Sequence, residues 1–171
     1  MSFTRLNRKF HKWGSIILAA PLIIIIITGI LLLLRKEFAA IQPPSQIGIG
    51  HSPSISFEKI LQIARTVPET KISDWQDIAR LDVRPNKGIA KIRAENSWEI
   101  QIDTQTGDVL QVAYRRSDWL ESLHDGTFFQ KYANLWLMLP TGIILLVLWF
   151  TGLYLFIYPY VRKYTNKTDK W

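Results

Sequence analysis

The sequence of 171 residues contains no cysteine. This absence excludes a disulfide framework, a thiolate zinc site, a cysteine nucleophile and a cysteine-ligated iron–sulfur cluster. Two long stretches, residues 13–34 and residues 132–161, contain no charged residue. A helix needs about 20 apolar residues to cross the hydrocarbon core of a bilayer, so both stretches predict membrane-spanning helices.

The first stretch could also be read as a signal peptide, because a basic segment precedes it. Its apolar part is too long for a signal peptide, and the charged residues Arg35, Lys36 and Glu37 follow it at once. We therefore interpret residues 13–34 as an uncleaved anchor. The bilayer is then the first partner that the sequence implies.

The net charge of +7 belongs to the two ends of the chain. Residues 1–12 carry +4 and residues 162–171 carry +3, whereas residues 13–161 sum to zero. A nucleic-acid-binding face would place Lys and Arg on a folded element, so no nucleic-acid partner is expected. Short basic flanks stay cytoplasmic, which predicts two cytoplasmic tails and an external segment between the spans.

The external segment begins with residues 35–54, whose Pro, Gly and Ser residues are typical of a linker. Apolar residues at helical spacing then run from Phe57 to Val67, with Ser56 as a plausible N-cap and Pro68 at the end. Four alternating runs with turn residues between them predict the strands of an antiparallel sheet: Ile78–Arg84, Ile89–Ala94, Trp98–Asp103 and Val109–Tyr114.

These patterns predict a small α+β domain over residues 55–116, followed by an interfacial segment at residues 117–131. One helix on a four-stranded sheet would bury one sheet face and leave the other available. Three acidic side chains are expected on the solvent face of the strands: Asp82, Glu95 and Glu99. The fold class is thus a two-span helical membrane protein with a small extracytoplasmic domain.

The motifs resemble a known family. The run W-E-I-Q-I-D-T-Q-T-G-D-V-L at Trp98–Leu110 looks like a PepSY domain, whose hallmark is a strand ending in Asp followed by a Thr-Gly turn. The flanking motifs, His11–Lys12–Trp13–Gly14 and Leu123–His124–Asp125–Gly126, resemble the PepSY-associated transmembrane family. Larger members are similar to bacterial inner-membrane reductases of iron–siderophore complexes, with histidine-bound haem b. The resemblance implies an inner-membrane location, haem b, and a link to iron acquisition.

Two histidines are the candidate ligands of haem iron, because neutral imidazole is the usual protein ligand of haem b. His11 lies at the cytoplasmic rim of span one, and His124 lies at the outer entrance of span two. Their alternative roles are a polar residue of the basic strip and part of a helix cap. His51, in the linker, is interpreted as a solvated loop residue.

Gly14 and Gly29 are candidate cofactor contacts, because Gly29 lies five helical turns beyond His11 and shares its face. Such glycines let a flat macrocycle approach the backbone, but they equally let two helices approach each other. His11 and His124 belong to opposite membrane faces, so two-histidine ligation of one iron requires a second chain. A homodimer would supply it.

Three classes of function remain open. The first is a haem-binding electron-transfer protein or oxidoreductase subunit that delivers electrons to a periplasmic acceptor such as a ferric chelate. The second is a regulatory or assembly module whose domain binds a peptide or peptidase through a sheet edge. The third is a structural subunit of a larger membrane complex. The sequence shows no nucleophile–base set in the domain, so catalysis there is not expected.

Overall fold

The computed structural model describes residues 3–50 and 52–168, and the side chains as far as residue 163. Its helices and strands are, in chain order, α1 (Phe3–Leu33), α2 (Phe57–Arg65), β1 (Ile78–Arg84), β2 (Ile89–Ala94), β3 (Trp98–Asp103), β4 (Val109–Tyr114), α3 (Arg116–Asp125) and α4 (Leu139–Thr168). The structure also contains three short 3-10 turns, at Pro68–Thr70, Trp75–Asp77 and Pro85–Lys87, and a π-helical turn at Asn134–Met138.

The chain divides into two compact units. The helical unit contains the residues up to Ile30 and those from Glu121 onward, and the sheet unit runs from Leu31 to Leu120. The predicted order of elements is observed, since two long apolar helices flank a small α+β domain along the sequence. His51 lies outside the described residues.

 The arrangement therefore confirms the predicted fold class, a helical two-span protein with a small antiparallel domain.

Two helices are long and apolar enough to cross a membrane, Phe3–Leu33 and Asn134–Lys163. The first continues through the basic segment, so the cations of residues 5–12 lie on the opening turns of α1 rather than on a separate tail. The two helices pack within the helical unit, where a Cβ on Gly14 would lie 2.9 Å from the Leu148 side chain. The Phe3 and Tyr154 rings meet edge to face, with their centroids 5.6 Å apart.

The sheet unit is built on local signals that the sequence shows clearly. Ser56 caps α2, because its hydroxyl accepts a hydrogen bond from the Lys59 N–H. All four strands have the predicted bounds, and they pair as an antiparallel meander in the order β1-β2-β3-β4. Ile60 and Ala64 of α2 belong to the same buried cluster as Ile92 and Ile100 of the sheet. This cluster is the hydrophobic core of the unit.

The second face of the sheet differs from the prediction, because it is not left available. Residues 41–50, which we call the strap, cross it without forming a helix or a strand. The Gln101 side chain binds the strap twice, accepting from Gln46 N–H at 2.8 Å and donating to the Pro44 carbonyl at 2.9 Å. The interpretation of this part of residues 35–54 as a linker was therefore wrong. Its Pro and Gly content serves close packing instead of flexibility.

Asp103 joins the strap to the Thr-Gly turn that follows β3. One carboxylate oxygen accepts from the Gln105 and Thr106 N–H groups at 2.7 and 2.9 Å, as Asp does in turns. The other accepts from Ile49 N–H of the strap at 2.6 Å. These backbone donors, with Ile49 first, lower the pKa of Asp103 below its ordinary value.

A buried ionic cluster lies on the same second face. Glu99 is 2 % exposed, which corrects its predicted place on the solvent face. It pairs with Lys91 at 3.1 Å and with Arg115 at 2.7 Å, and Arg115 also reaches Asp118 at 3.1 Å. Burial lowers the pKa of Lys91, whereas the Glu99 carboxylate opposes that shift. Both carboxylate oxygens of Glu99 are engaged, so we assign this cluster a structural role.

The lowered pKa of Asp103 predicts a pH-dependent strap. A carboxyl whose folded pKa is depressed stabilises the fold fully above its unfolded pKa of about 3.8 and loses that contribution as the pH falls through the folded value. We expect Asp103→Asn to weaken protection of the strap by about 2 kcal/mol at pH 7, because charged hydrogen bonds have this magnitude. Hydrogen exchange of the Ile49 and Thr106 amides measures it.

The control for this experiment is Asp108→Asn, since Asp108 accepts from the exposed Thr106 hydroxyl and does not contact the strap. It should leave the Ile49 amide as protected as in the unchanged protein. The difference between the Asp103→Asn variant and the unchanged protein should shrink as the pH falls below 3.8. A difference that is the same at pH 7 and pH 2.5 would contradict the assignment.

Glu99→Ala should destabilise the sheet unit strongly. It would leave Lys91 buried without this counter-charge and Arg115 paired with Asp118 alone, and removal of one member of a buried pair costs about 3–5 kcal/mol. The matched control is Asp82→Ala, which removes an ion pair with Arg84 whose partners are 30 and 38 % exposed. That change should cost less than about 1 kcal/mol. Equal exchange rates of the β2 and β3 amides in the two variants would refute the prediction.

Candidate functional site

His124 is held by the first helix of the helical unit. Its Nδ1 atom lies 3.1 Å from the Thr28 hydroxyl oxygen and 3.1 Å from the Ile25 carbonyl oxygen. Thr28 is buried, and its hydroxyl donates to the Ile24 carbonyl at 2.6 Å. Gly29 adjoins the ring, because a Cβ there would lie 3.2 Å from His124 Cε1. A Thr-Gly pair of α1 thus contacts this imidazole.

His11 is held in the same way by α4. Its Nδ1 atom lies 2.8 Å from the Thr151 hydroxyl oxygen, and that hydroxyl donates to the Leu148 carbonyl at 3.0 Å. Gly152 adjoins the ring, because a Cβ there would lie 3.1 Å from His11 Cε1. A second Thr-Gly pair, on α4, therefore contacts the second imidazole.

The two histidine sites are separate. Thr28 lies 17 residues after His11 on α1, and a rise of 1.5 Å per residue puts these positions about 26 Å apart along the helix. His124 contacts Thr28, so its ring is also remote from His11. Among the residues that the structure describes, no hydrogen bond or ion pair is made by Nε2 of either ring.

The two candidate glycines have different neighbours from those the helical spacing indicated. Gly29 was grouped with His11, but the structure places it against His124. Gly14 lies against the Leu148 side chain. The space over each glycine is thus taken by a side chain of the helical unit, Leu148 at Gly14 and the His124 ring at Gly29.

The sequence contains three Thr-Gly pairs in its apolar stretches, Thr28–Gly29, Thr141–Gly142 and Thr151–Gly152, and the commonest use of such pairs is close helix packing. Helical spacing connected Gly29 with His11, but it connected no pair with the histidine that the pair contacts. The Thr141–Gly142 pair contacts no histidine in the described structure: Thr141 donates to the Leu137 carbonyl at 2.7 Å, and nothing lies within 4 Å of a Cβ on Gly142. The repeated dipeptide, once on α1 and twice on α4, was the available signal.

Comparisons with known families support the motifs that the sequence shows. Residues 8–170 match the family described as the PepSY-associated TM region. No curated protein and no solved structure gives a significant match to the chain. The family match covers nearly the whole sequence, including both apolar helices and both histidine sites. The chain therefore belongs to the PepSY-associated TM region family, and it is a membrane protein with two spans around a PepSY-like domain.

Proposed function

We propose that this protein binds haem b through His11 and His124 and carries electrons across the membrane. The supporting observation is which ring nitrogen of each imidazole makes hydrogen bonds. Each engages Nδ1 with a threonine of the helical unit, and neither uses Nε2 within the described residues. Ligand histidines characteristically bind the metal with one nitrogen and donate the other N–H to a fixed acceptor.

The donor set fits haem iron. Neutral imidazole is its commonest protein ligand, and in both rings Nε2 makes no hydrogen bond within the described residues. Haem, when bound, supplies reversible one-electron transfer between its ferric and ferrous states. The chain itself holds the rings at two depths along α1, about 26 Å apart. The residues named as ligands are His11 at one site and His124 at the other.

A second copy of the chain completes each site in this proposal. One chain offers a single histidine per site, whereas b-type haem with two histidine ligands needs two. A two-fold dimer would present a pair of His11 rings and a pair of His124 rings. The spans have surface for this contact, because only 11 % of the most apolar stretch of each is buried within the chain. Another membrane subunit could fill the same place.

The proposed direction of transfer follows from charge. Basic flanks place both termini in the cytoplasm of a bacterium, so His11 belongs to the inner side and His124 to the outer side. The PepSY-like domain would then lie in the periplasm. An electron acceptor such as a ferric chelate would be reduced there, which links the protein to iron acquisition. The protein would act as an oxidoreductase component, with its electron donor supplied from inside.

One observation favours a second candidate function, the binding of a peptide or peptidase by the PepSY-like domain. Strands β1 and β4 lie at the two edges of the sheet, and an edge strand can accept an added strand. The strap covers the second sheet face, so such a peptide would pair at an edge. This candidate predicts a bound partner and no dependence on His11 or His124.

The absorption spectrum of the purified protein tests the haem proposal. After expression with added haem, the unchanged protein should show a Soret band that sharpens and shifts on reduction. His11→Ala and His124→Ala should each remove about half of the bound haem, because each change removes the ligand of one site. The double variant should retain essentially none.

His51→Ala is the matched control, since His51 lies outside the two motifs that carry the candidate ligands, and it should keep the full band. Absence of a Soret band from the unchanged protein would refute haem binding. A band of full intensity in the double variant would show that haem binds elsewhere.

Gly152→Ala should weaken the inner site. The added methyl group would lie 3.1 Å from His11 Cε1, so the ring must move away from its Thr151 partner. Changes that disturb the partners of a ligand commonly cost 10–100-fold in metal affinity, so we expect haem retention to fall about tenfold. Haem transfer to apomyoglobin measures it. Gly142→Ala, which adds a methyl group to open space, should have no effect, and equal retention in both variants would contradict the prediction.

A further inference from the structure

We infer that Thr28 and Thr151 are positioning residues, which fix the Nδ1–H tautomer of His124 and His11 and so leave the Nε2 lone pair for an electrophile. The identity of that electrophile as haem iron rests on the proposed function. The tautomer itself does not, because it follows from the hydrogen bonds of the chain.

Thr28 has one hydroxyl proton to donate. The Ile24 carbonyl is 2.6 Å away and the Ile25 carbonyl is 3.2 Å away, and a carbonyl can only accept. The short contact assigns the proton to Ile24, in the back-bonding pattern of threonine in helices. The Thr28 oxygen then faces His124 as an acceptor. Its ring nitrogen at 3.1 Å must be the donor.

A second acceptor beside the same nitrogen strengthens this assignment for His124. The Ile25 carbonyl oxygen lies 3.1 Å from Nδ1 and has no proton to give. An unprotonated Nδ1 would therefore face lone pairs on the carbonyl and on Thr28 together. Such a contact is unfavourable in an apolar surrounding, where polar groups that lack a partner are costly. In the neutral ring, Nε2 then carries no proton.

His11 follows the same logic on α4. The Thr151 hydroxyl donates to the Leu148 carbonyl at 3.0 Å, and its oxygen lies 2.8 Å from His11 Nδ1. The Leu148 carbonyl can only accept, and we assign the hydroxyl proton to it by analogy with Thr28, so that the oxygen accepts from the ring. Both imidazoles are thus held in one tautomer by the same device, although they lie on different helices.

The hydrogen bond at Nδ1 affects both the orientation of the ring and the basicity of Nε2. A histidine that donates its Nδ1–H to a fixed acceptor is a more basic ligand at Nε2, and its ring cannot turn freely about χ2. Loss of the acceptor would free both the ring angle and the tautomer. A threonine that served only to pack the helices would change neither.

Nitrogen-15 NMR of histidine-labelled protein, without haem, tests the inference directly. The ring nitrogens of a neutral imidazole differ widely in chemical shift, so each tautomer is recognised. Single His→Gln variants assign the three rings. In the unchanged protein, His11 and His124 should both show a protonated Nδ1 and an unprotonated Nε2.

Three valine variants separate positioning from packing. Thr151→Val should change the tautomer ratio of His11 alone. Thr28→Val should change that of His124 alone and by less, because the Ile25 carbonyl still accepts from its Nδ1. Thr141→Val is the matched control, because its hydroxyl is bound to the Leu137 carbonyl and contacts no histidine in the described structure. Thr28→Ser and Thr151→Ser keep the acceptor and should restore the pattern of the unchanged protein.

The inference is overturned if either ring of the unchanged protein is protonated at Nε2, or if Thr28→Val and Thr151→Val match the Thr141→Val control. These outcomes are independent of haem. If the tautomers are as expected and no Soret band forms, the proposed function fails and the inference stands. If haem binds to His11 and His124 and the valine variants leave both tautomers unchanged, the inference fails and the proposed function stands.

Discussion

The hydrogen bond between each histidine and the threonine of the facing helix is the contact on which the helical unit depends. In a bilayer core, water is not present to satisfy a polar group, so each must find a partner within the protein. Thr28 and Thr151 satisfy two groups at once, because each hydroxyl donates to its own helix and accepts from an imidazole. The cost of bringing the imidazoles into an apolar helix pair is thereby offset.

The sheet unit follows the same rule with different groups. Its second face carries charged side chains that would be costly to bury alone, and the strap and the start of α3 cover them. Glu99 forms ion pairs with both Lys91 and Arg115. The Gln101 side chain accepts one hydrogen bond from the backbone of the strap and donates another to it. In both units, polar groups are retained inside the fold because each has a defined partner.

The features that could be predicted from the sequence are those set by near neighbours. Strand and helix bounds depend on residue alternation, on the Ser56 cap and on turn residues, so they could be read directly. The two spans depend only on the length of their apolar runs. The turn role of Asp103 was also visible, since its partners Gln105 and Thr106 lie within three residues.

The features that could not be predicted depend on contacts between distant segments. Composition predicted residues 35–54 as a linker, and it could not reveal the bonds from Gln46 and Ile49 to the sheet, which join positions more than 50 residues apart. The burial of Glu99 follows from that cover. The partner of His11 depends on the register of the antiparallel helices α1 and α4. His11 meets Thr151 and Gly14 meets Leu148, so three residues forward on α1 correspond to three residues back on α4.

That register is the central claim about the helical unit, and the absence of cysteine makes it directly measurable. A Cβ on Gly14 would lie 3.6 Å from Leu148 Cγ, so cysteines at these two positions would be neighbours across the helix pair. Mild oxidation of the Gly14→Cys, Leu148→Cys variant in membranes should give an intramolecular disulfide, detected by mass spectrometry. The Gly14→Cys, Gly142→Cys variant should give none. Failure of the first pair to close within one chain, or closure of the second pair as readily, would contradict the account.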